Sequence, residues 1–311
     1  MIRNIFLSAF IIFLITSCSS IDKSDDIYLF TSFREPDNRG LYLAYSEDGY
    51  NWEDLGGIYL PATLGTHKIM RDPSVARGAD GTYHLVWTTS WRDDNGIGYA
   101  STKDFINWSE PQHIPVMAHE PDVVNVWAPE IFYDDEEDRF IIVWASTIPY
   151  RFPKELEAED NNHRLYYTTT SDFKTFTDTE LYLDPGFSII DAVIVKREKE
   201  DYVLVLKNNT RPERNLRVAF SSSPLGPWEN YSDVLTEFLS EGPTAIKVDD
   251  DWLIYYDYYD TQTYSALRTN DFVKFENIAD KISLPKGHKH GTITAVSREI
   301  INNIIERGPL K

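Results

Sequence analysis

The chain has 311 residues, of which 42% are hydrophobic and 14% aromatic, so it can bury the core of one large domain or of two small ones. Its formal net charge is −20 at pH 7, and its pI is near 4.7. Because so acidic a surface repels polyanions, we expect neither nucleic acid nor an anionic membrane surface as a partner, and a neutral ligand fits better.

The N-terminus carries Arg3 and then an apolar run at 5–15, which is too short to span a bilayer comfortably. It resembles a bacterial lipoprotein signal, in which a cysteine behind an aliphatic and two small residues becomes lipidated. Cys18 fits that pattern and is the only cysteine, so no internal disulfide can form. We expect export and a lipid anchor at a bacterial membrane. The predicted division is a signal segment at 1–18, a polar tether at 19–26 and one folded domain at 27–311.

Internal repeats dominate the rest of the chain. A strand, a polar turn and an aromatic residue recur five times, at 41–52, 97–108, 165–176, 216–228 and 264–275. A short aromatic and β-branched strand precedes each one, at 26–33, 82–91, 139–148, 201–210 and 251–260. Helical periodicity is nearly absent before a segment at 297–307. Five hairpin units predict an all-β chain folded as a five-bladed β-propeller with a short C-terminal helix.

A further strand precedes each hairpin from the second blade onward, and the first blade lacks one. The C-terminal segment 290–296 has the same character but no hairpin of its own, so we expect it to complete the first blade and close the ring. In a propeller these first strands line the central channel and run in the same direction. The residues that start them should therefore converge on one face: Asp72, Glu130, Asp191, Glu241 and His290.

Four carboxylates beside one histidine are hard to explain as architecture, because crowded like charges cost free energy and push pKa values apart. Hydrolysis of a glycosidic bond needs one protonated carboxyl group and one ionised carboxylate. A third acid can raise the pKa of the proton donor by repulsion. Aromatic residues such as Trp91 and Trp127 can provide a platform for a sugar.

The sequence around these residues forms a specific set of motifs: Arg-Asp-Pro-Ser-Val at 71–75, Trp-Ala-Pro-Glu-Ile at 127–131, Ile-Asp-Ala at 190–192, Glu-Gly-Pro at 241–243 and His-Gly-Thr at 290–292. In this order and spacing the chain resembles the family 43 glycoside hydrolases. These are five-bladed propellers that act mainly on arabinofuranosides and xylosides. The motifs run from the second blade to the C-terminus, so the resemblance covers nearly the whole mature chain.

The resemblance implies three catalytic roles. Asp72 would be the general base that activates water, Glu241 the general acid, and Asp191 the residue that tunes and orients Glu241. Because the family inverts the anomeric configuration, the carboxyl groups of Asp72 and Glu241 should lie roughly 6.5–9.5 Å apart. A retaining enzyme would instead hold them about 5–5.5 Å apart.

The resemblance places His290 at the channel axis, often near a bound calcium ion or a water cluster. A structural calcium ion there is therefore an option, with His290 as a candidate ligand, although no cofactor is required for the reaction. Glu130 departs from the family pattern, because many members carry aspartate after Trp-Ala-Pro. We expect it to lie behind the catalytic residues.

The expected substrate contacts come from aromatic and basic residues. Trp91 and Trp127 are expected to contact sugar, although both could instead pack between blades. Arg71 belongs to the first motif. Arg217 heads a strand of the fourth blade and could either reach the funnel or pair with a surface acid. Together with His290 and Glu130, these residues form the predicted substrate-binding set.

The sequence thus predicts a monomeric, inverting, exo-acting glycosidase that removes pentosyl residues from plant polysaccharides, with α-L-arabinofuranosidase as the first choice. A β-xylosidase or a β-1,3-galactosidase of the same fold is the alternative within enzymes. The alternative from another class is a non-catalytic surface propeller that binds glycans. A mutually repelling buried triad gives no advantage in binding alone, which favours the enzyme.

Overall fold

The computed structural model describes residues 26–310, and Cys18 with the predicted signal segment lies outside them. Five antiparallel sheets form the five blades of a β-propeller, which confirms the predicted fold. Blade one contains β1 Asp26–Arg34, β2 Gly40–Ser46, β3 Glu53–Asp54 and β4 Leu60–Pro61. Blade two contains β5 Arg71–Arg77, β6 Tyr83–Thr88, β7 Ile97–Thr102 and β8 Gln112–Ile114.

The other three blades follow the same order. Blade three contains β9 Trp127–Asp134, β10 Arg139–Ser146, β11 Arg164–Thr170 and β12 Glu180–Leu183. Blade four contains β13 Ile189–Glu198, β14 Asp201–Asn208 and β15 Asn215–Ser221. Blade five contains β16 Ser240–Val248, β17 Asp251–Tyr258, β18 Tyr264–Thr269 and β19 Glu276–Asn277. A 3-10 turn at Ala279–Lys281 then leads to β20 His288–Ser297 and the helix α1 Arg298–Arg307.

The C-terminal strand closes the ring. β20 pairs antiparallel with β1, with Thr292 opposite Thr31, so the last strand supplies the inner strand that blade one lacks. The inner strands β5, β9, β13, β16 and β20 each contact the next one around the ring. Within residues 26–310, no helix is both long enough and apolar enough to cross a membrane.

The hydrophobic core lies between neighbouring blades rather than in one central mass. Leu29 and Leu43 of blade one pack with Leu85 and Trp87 of blade two, and all four are fully buried. Equivalent clusters join the other neighbouring blades. The alternation of side chains along each strand supplies the two buried faces that this stacking needs.

The repeated polar turns are architectural. In four blades an aspartate Oδ1 accepts hydrogen bonds from the backbone N–H groups two and three residues later: Asp48, Asp104, Asp172 and Asp271. The next residue has a positive φ, and in three blades it is a buried phenylalanine: Phe105, Phe173 and Phe272. Such turns fix the end of each hairpin and its core contact. The acidic residues in these repeats therefore stabilise the fold.

Candidate active site

Each of the five inner strands carries a β-bulge near the same end. In four of them one residue at the bulge adopts a left-handed conformation, with φ between 46° and 57°: Asp72, Ala128, Asp191 and Gly242. A bulge re-aims the side chains of its strand, and bulges are common next to active sites. The structural equivalents of Asp72 and Asp191 are thus Ala128 and Gly242.

A cavity of about 190 Å³ opens among the inner strands. Seven of the nine predicted site residues line it, and they come from distant parts of the chain: Arg71, Asp72, Trp91, Trp127, Asp191, Glu241 and His290. Glu130 lies in a separate, smaller cavity beneath it, and Arg217 lines neither. The sequence motifs therefore meet in one place.

Asp72 is held by hydrogen bonds on both oxygens. Its Oδ2 accepts from Thr88 Oγ1 at 2.7 Å, and its Oδ1 lies 2.8 Å from His290 Nε2. Burial alone would raise the pKa of Asp72, but the hydrogen bond and charge of His290, with help from Arg71 and Thr88, hold it below its usual value. Asp72 is therefore an ionised carboxylate, the state that a general base requires.

His290 joins Asp72 to Asp257. Its Nδ1 lies 3.0 Å from Asp257 Oδ2, and its backbone N–H donates to the same oxygen at 2.9 Å. Burial disfavours the imidazolium, but the carboxylates of Asp257 and Asp72 outweigh burial and raise the pKa of His290 well above its usual value. The ring is thus a buried cation between two anions.

The same cluster contains His290, the candidate ligand of the predicted calcium ion. Ligand atoms of Glu241, Asp257 and His290 lie within 4.8 Å of one another. However, Lys289 Nζ already contacts Glu241 Oε1 at 3.3 Å and Asp257 Oδ1 at 3.0 Å, and both ring nitrogens of His290 face carboxylates. Calcium needs six to eight oxygen ligands, whereas this cluster offers two carboxylates that the Lys289 ammonium group already bridges. These residues do not fit a calcium ion.

Glu241 is surrounded by cations that the sequence analysis missed. Lys207 Nζ donates to its Oε2 at 2.9 Å, Lys289 approaches Oε1, and all three side chains are buried. Burial would raise the pKa of Glu241, but Lys207, His290 and Lys289 hold it far below its usual value. The expectation that a neighbouring acid keeps Glu241 protonated is therefore not met in the ligand-free site. The two lysines outweigh that repulsion.

Asp191 shows the opposite shift. It is buried, and its Oδ2 accepts a hydrogen bond from the Gly242 backbone N–H at 3.1 Å. Burial, with added repulsion from Glu241 and Asp72, raises the pKa of Asp191 despite the opposing charges of Lys207 and His290. In the ligand-free cavity Asp191 thus holds a proton more tightly than an ordinary aspartate, and Glu241 holds one more weakly.

Glu130 lies deeper in the channel. It lines a cavity of about 30 Å³, enough for one water molecule, together with Asp72, Asp191 and His290. Ser74 Oγ donates to its Oε2 at 2.7 Å, no cation within residues 26–310 forms an ion pair with it, and burial raises the pKa of Glu130 to about 8. As expected, it lies behind the residues that line the main cavity.

Aromatic and basic residues form one side of the main cavity. The rings of Trp91 and Trp127 meet edge to face at 6.3 Å, and the indole N–H of Trp127 donates to the backbone carbonyl of Trp91 at 2.8 Å. Arg71 stacks on the Trp91 ring at 4.0 Å and forms an ion pair with Glu35. Trp91 is 41% exposed, so it is not a packing residue between blades and can stack against a sugar.

Arg217 pairs with a neighbouring acid, the second of the two options that its sequence position left open. Its Nη2 donates to Glu213 Oε2 at 2.8 Å and its Nη1 to the Ser232 carbonyl at 3.1 Å, so it pairs with a neighbouring acid. Arg214 lines the cavity instead. Further lining residues that the sequence did not single out are Asn161, Lys207, Asn209, Leu239 and Tyr259. One available signal was Lys207, a buried lysine that directly follows four apolar residues of its strand.

Gly242 should be essential to the site because His290 packs directly against it. A Cβ on Gly242 would lie 1.9 Å from His290 Cγ, and its φ of +57° is itself unfavourable for alanine. We expect Gly242→Ala to lower the free energy of unfolding by about 1–3 kcal/mol more than a control in which only the backbone is strained. Gly186→Ala is that control, since Gly186 has φ +84° and nothing within 4 Å of its Cβ position. If denaturant unfolding gave equal losses of unfolding free energy for Gly242→Ala and Gly186→Ala, the argument that His290 packs against Gly242 would be contradicted.

Comparisons with known proteins agree with this fold. A thermostable family-43 glycoside hydrolase superposes with a TM-score of 0.56 at 14% identity, over 73% of this chain and 80% of that one. A family 117 glycoside hydrolase of Zobellia galactanivorans gives 0.54 at 17% identity, over 70% of each chain. At such identities the likeness concerns the fold alone.

One curated relative is an α-L-arabinofuranosidase of Bifidobacterium longum, 26% identical over 151 residues. The match covers 41% of this chain and 14% of that protein, so the chain spans a small part of its length. Residues 25–302 match the glycosyl hydrolase 43-related family, which is described as a probable glycosyl hydrolase domain. Because this match covers most of the chain, the protein belongs to that family, and the resemblance drawn from its motifs is confirmed.

Proposed function

We propose that the chain is an inverting, exo-acting glycosidase that removes pentosyl residues from plant polysaccharides or oligosaccharides, with α-L-arabinofuranosides as the first substrate class. The observation that carries this proposal is the convergence of Asp72, Asp191 and Glu241 on one cavity that also exposes Trp91. An ionised base, a second carboxyl group and a sugar platform are the parts that glycoside hydrolysis needs.

The contacts of His290 set an upper limit on the spacing of the two proposed catalytic carboxylates, and this limit is compatible with inversion. Asp72 Oδ1 lies 2.8 Å from one nitrogen of His290, and Glu241 Oε1 lies 3.9 Å from the other. Adding the width of the ring places these oxygens at most roughly 9 Å apart, which admits the ~6.5–9.5 Å of an inverting pair with room for a water molecule.

In the proposed mechanism Asp72 takes a proton from water as the water oxygen attacks the anomeric carbon. Glu241 gives a proton to the departing glycosidic oxygen, which leaves with the rest of the polysaccharide. Because Lys207 and its neighbours keep Glu241 ionised, the proposal requires substrate binding to loosen its ion pair with Lys207, so that Glu241 takes up a proton from solvent before it donates that proton to the glycosidic oxygen. The raised pKa of Asp191 keeps negative charge in the same cavity lower than two ordinary carboxylates would.

A panel of aryl glycosides tests this proposal, with the α-L-arabinofuranoside first and the β-xyloside and β-galactoside beside it. We expect turnover of one pentoside by the wild-type chain. Turnover of the galactoside alone would move the assignment to a galactosidase. No turnover, with intact folding and measurable oligosaccharide binding, would instead support a propeller that only binds glycans.

We further propose that the chain acts as an exported monomer anchored to a bacterial membrane through a lipid on Cys18. The apolar segment before Cys18 and the small residues beside it support this proposal. Metabolic labelling with a fatty acid tests it. Label should enter the wild-type chain and be lost in Cys18→Ser.

A further inference from the structure

Arg214 is a cation in the cavity that lacks a counter-charge. It lines the cavity beside Asn209 and Tyr259. Within residues 26–310, its Nε is buried without a hydrogen-bond partner, and no carboxylate forms an ion pair with its guanidinium group. A guanidinium group that lines a cavity without a carboxylate partner is available to pair with an anionic group there.

The other cations of the site have partners. The pairs are Arg71 with Glu35, Lys207 with Glu241, Lys289 with Glu241 and Asp257, and His290 with Asp72 and Asp257. The carboxylates of Asp72, Glu241 and Asp257 are thus already paired with other cations. Arg214 therefore adds a positive charge that the protein itself leaves uncompensated at this position.

The backbone fixes Arg214 in place. Its N–H donates to the Thr210 carbonyl at 3.3 Å, and its carbonyl accepts from the Leu239 N–H at 2.8 Å. Its φ is 42°, a conformation that arginine rarely adopts. The loop itself is tied to blade three, because the Arg211 N–H donates to Glu157 Oε1 at 2.6 Å. These contacts hold the Arg214 backbone at the edge of the cavity.

We propose that Arg214 binds an anionic group of the substrate, so that a sugar next to the cleaved pentosyl residue carries a uronate carboxylate or a sulfate ester. Both present the oxygen pairs that a guanidinium group binds in a two-pronged manner. This inference rests on the proposed function, because it names the substrate class of the same site. It also modifies the expectation of a neutral ligand: the overall negative charge acts at long range and is screened over about 10 Å, whereas Arg214 acts at contact.

Calorimetric binding of matched sugar pairs tests this assignment without requiring turnover. The probes are glucuronate and galacturonate, each beside its methyl ester, and galactose 6-sulfate beside galactose. We expect the wild-type chain to bind at least one anion about tenfold or more tightly than its neutral partner, since a charge-assisted bond contributes that much. Whether the preferred anion is a uronate or the sulfate identifies its source.

Three variants assign the effect to Arg214. Arg214→Gln should abolish the preference for the anion, and Arg214→Lys should keep only part of it because lysine lacks the planar fork. Arg217→Gln is the matched control: it removes an arginine from the same blade that pairs with Glu213 and does not line the cavity. Equal binding of anions and neutral sugars by the wild type, or a preference that survives Arg214→Gln, would overturn the assignment. The calorimetric experiments measure binding and the aryl glycoside panel measures turnover. A failure of the anion-binding proposal is therefore distinguishable from a failure of the glycosidase proposal.

Discussion

Replacing Asp72 with asparagine should lower kcat/KM on the preferred aryl glycoside by a factor of about 10²–10⁴, the usual contribution of a general base. The amide keeps the shape and can still accept from Thr88 Oγ1, but it cannot take a proton from water. It also removes the anion that His290 faces at 2.8 Å. The measurement is steady-state kinetics on protein whose circular dichroism matches the wild type.

The control for this substitution is another aspartate with the same backbone conformation. Asp249 has φ 54° and is exposed in the turn between β16 and β17, so Asp249→Asn changes charge and shape equally but away from the cavity. It should leave kcat/KM unchanged. If Asp72→Asn kept activity within about tenfold of the wild type, Asp72 would not be the general base.

Replacing Lys207 with methionine should strongly destabilise the fold. Its ammonium group and the Glu241 carboxylate are both buried and lie 2.9 Å apart, so removing the lysine leaves a buried anion with less compensation. Breaking such a pair costs about 3–5 kcal/mol of unfolding free energy. The double variant, Lys207→Met with Glu241→Gln, removes both charges and should recover much of this loss. Chemical denaturation of the wild type, the two single variants and the double variant measures the coupling energy between Lys207 and Glu241.

The pH dependence of that loss follows from the sign of the Glu241 shift. The pKa of Glu241 is lowered in the folded state, so its contribution to stability is present above its unfolded pKa and is lost as pH falls through its folded pKa. The penalty of Lys207→Met should therefore be largest at neutral pH and shrink in acid. Lys196→Met, which breaks an ion pair with the exposed Asp135, should cost at most about 1 kcal/mol. Equal costs for the two lysine variants would contradict the buried network.

The fold could be predicted from the sequence because its signals are local and repeated. Four of the blades repeat a strand followed by an aspartate turn, and the hydrogen bonds of Asp104 and Asp172 involve only residues of their own turn. Ring closure followed from the unpaired segment at 290–296, which had the character of an inner strand. A structural feature whose contacts all lie within one hairpin can be predicted from the local sequence alone.

The electrostatics of the site could not be predicted in this way. The charge state of Glu241 depends on Lys207 from blade four and Lys289 from the closing strand, and no local pattern links three such distant positions. Arg214 and Arg217 are three residues apart, and only the turn before β15 decides which one lines the cavity. The β-bulges could not be predicted either. The extra residue at Asp72 or Asp191 shifts the register of its strand, and no sequence pattern marks that shift.

The stereochemistry of hydrolysis tests the central claim most directly. A proton NMR time course of the preferred aryl glycoside, recorded before the product equilibrates, identifies the anomer that forms first. The account predicts the inverted anomer, because Asp72 activates a water molecule across the cavity from Glu241. First formation of the retained anomer would contradict it, since that result requires a carboxylate that attacks the sugar itself and a closer pair of about 5–5.5 Å.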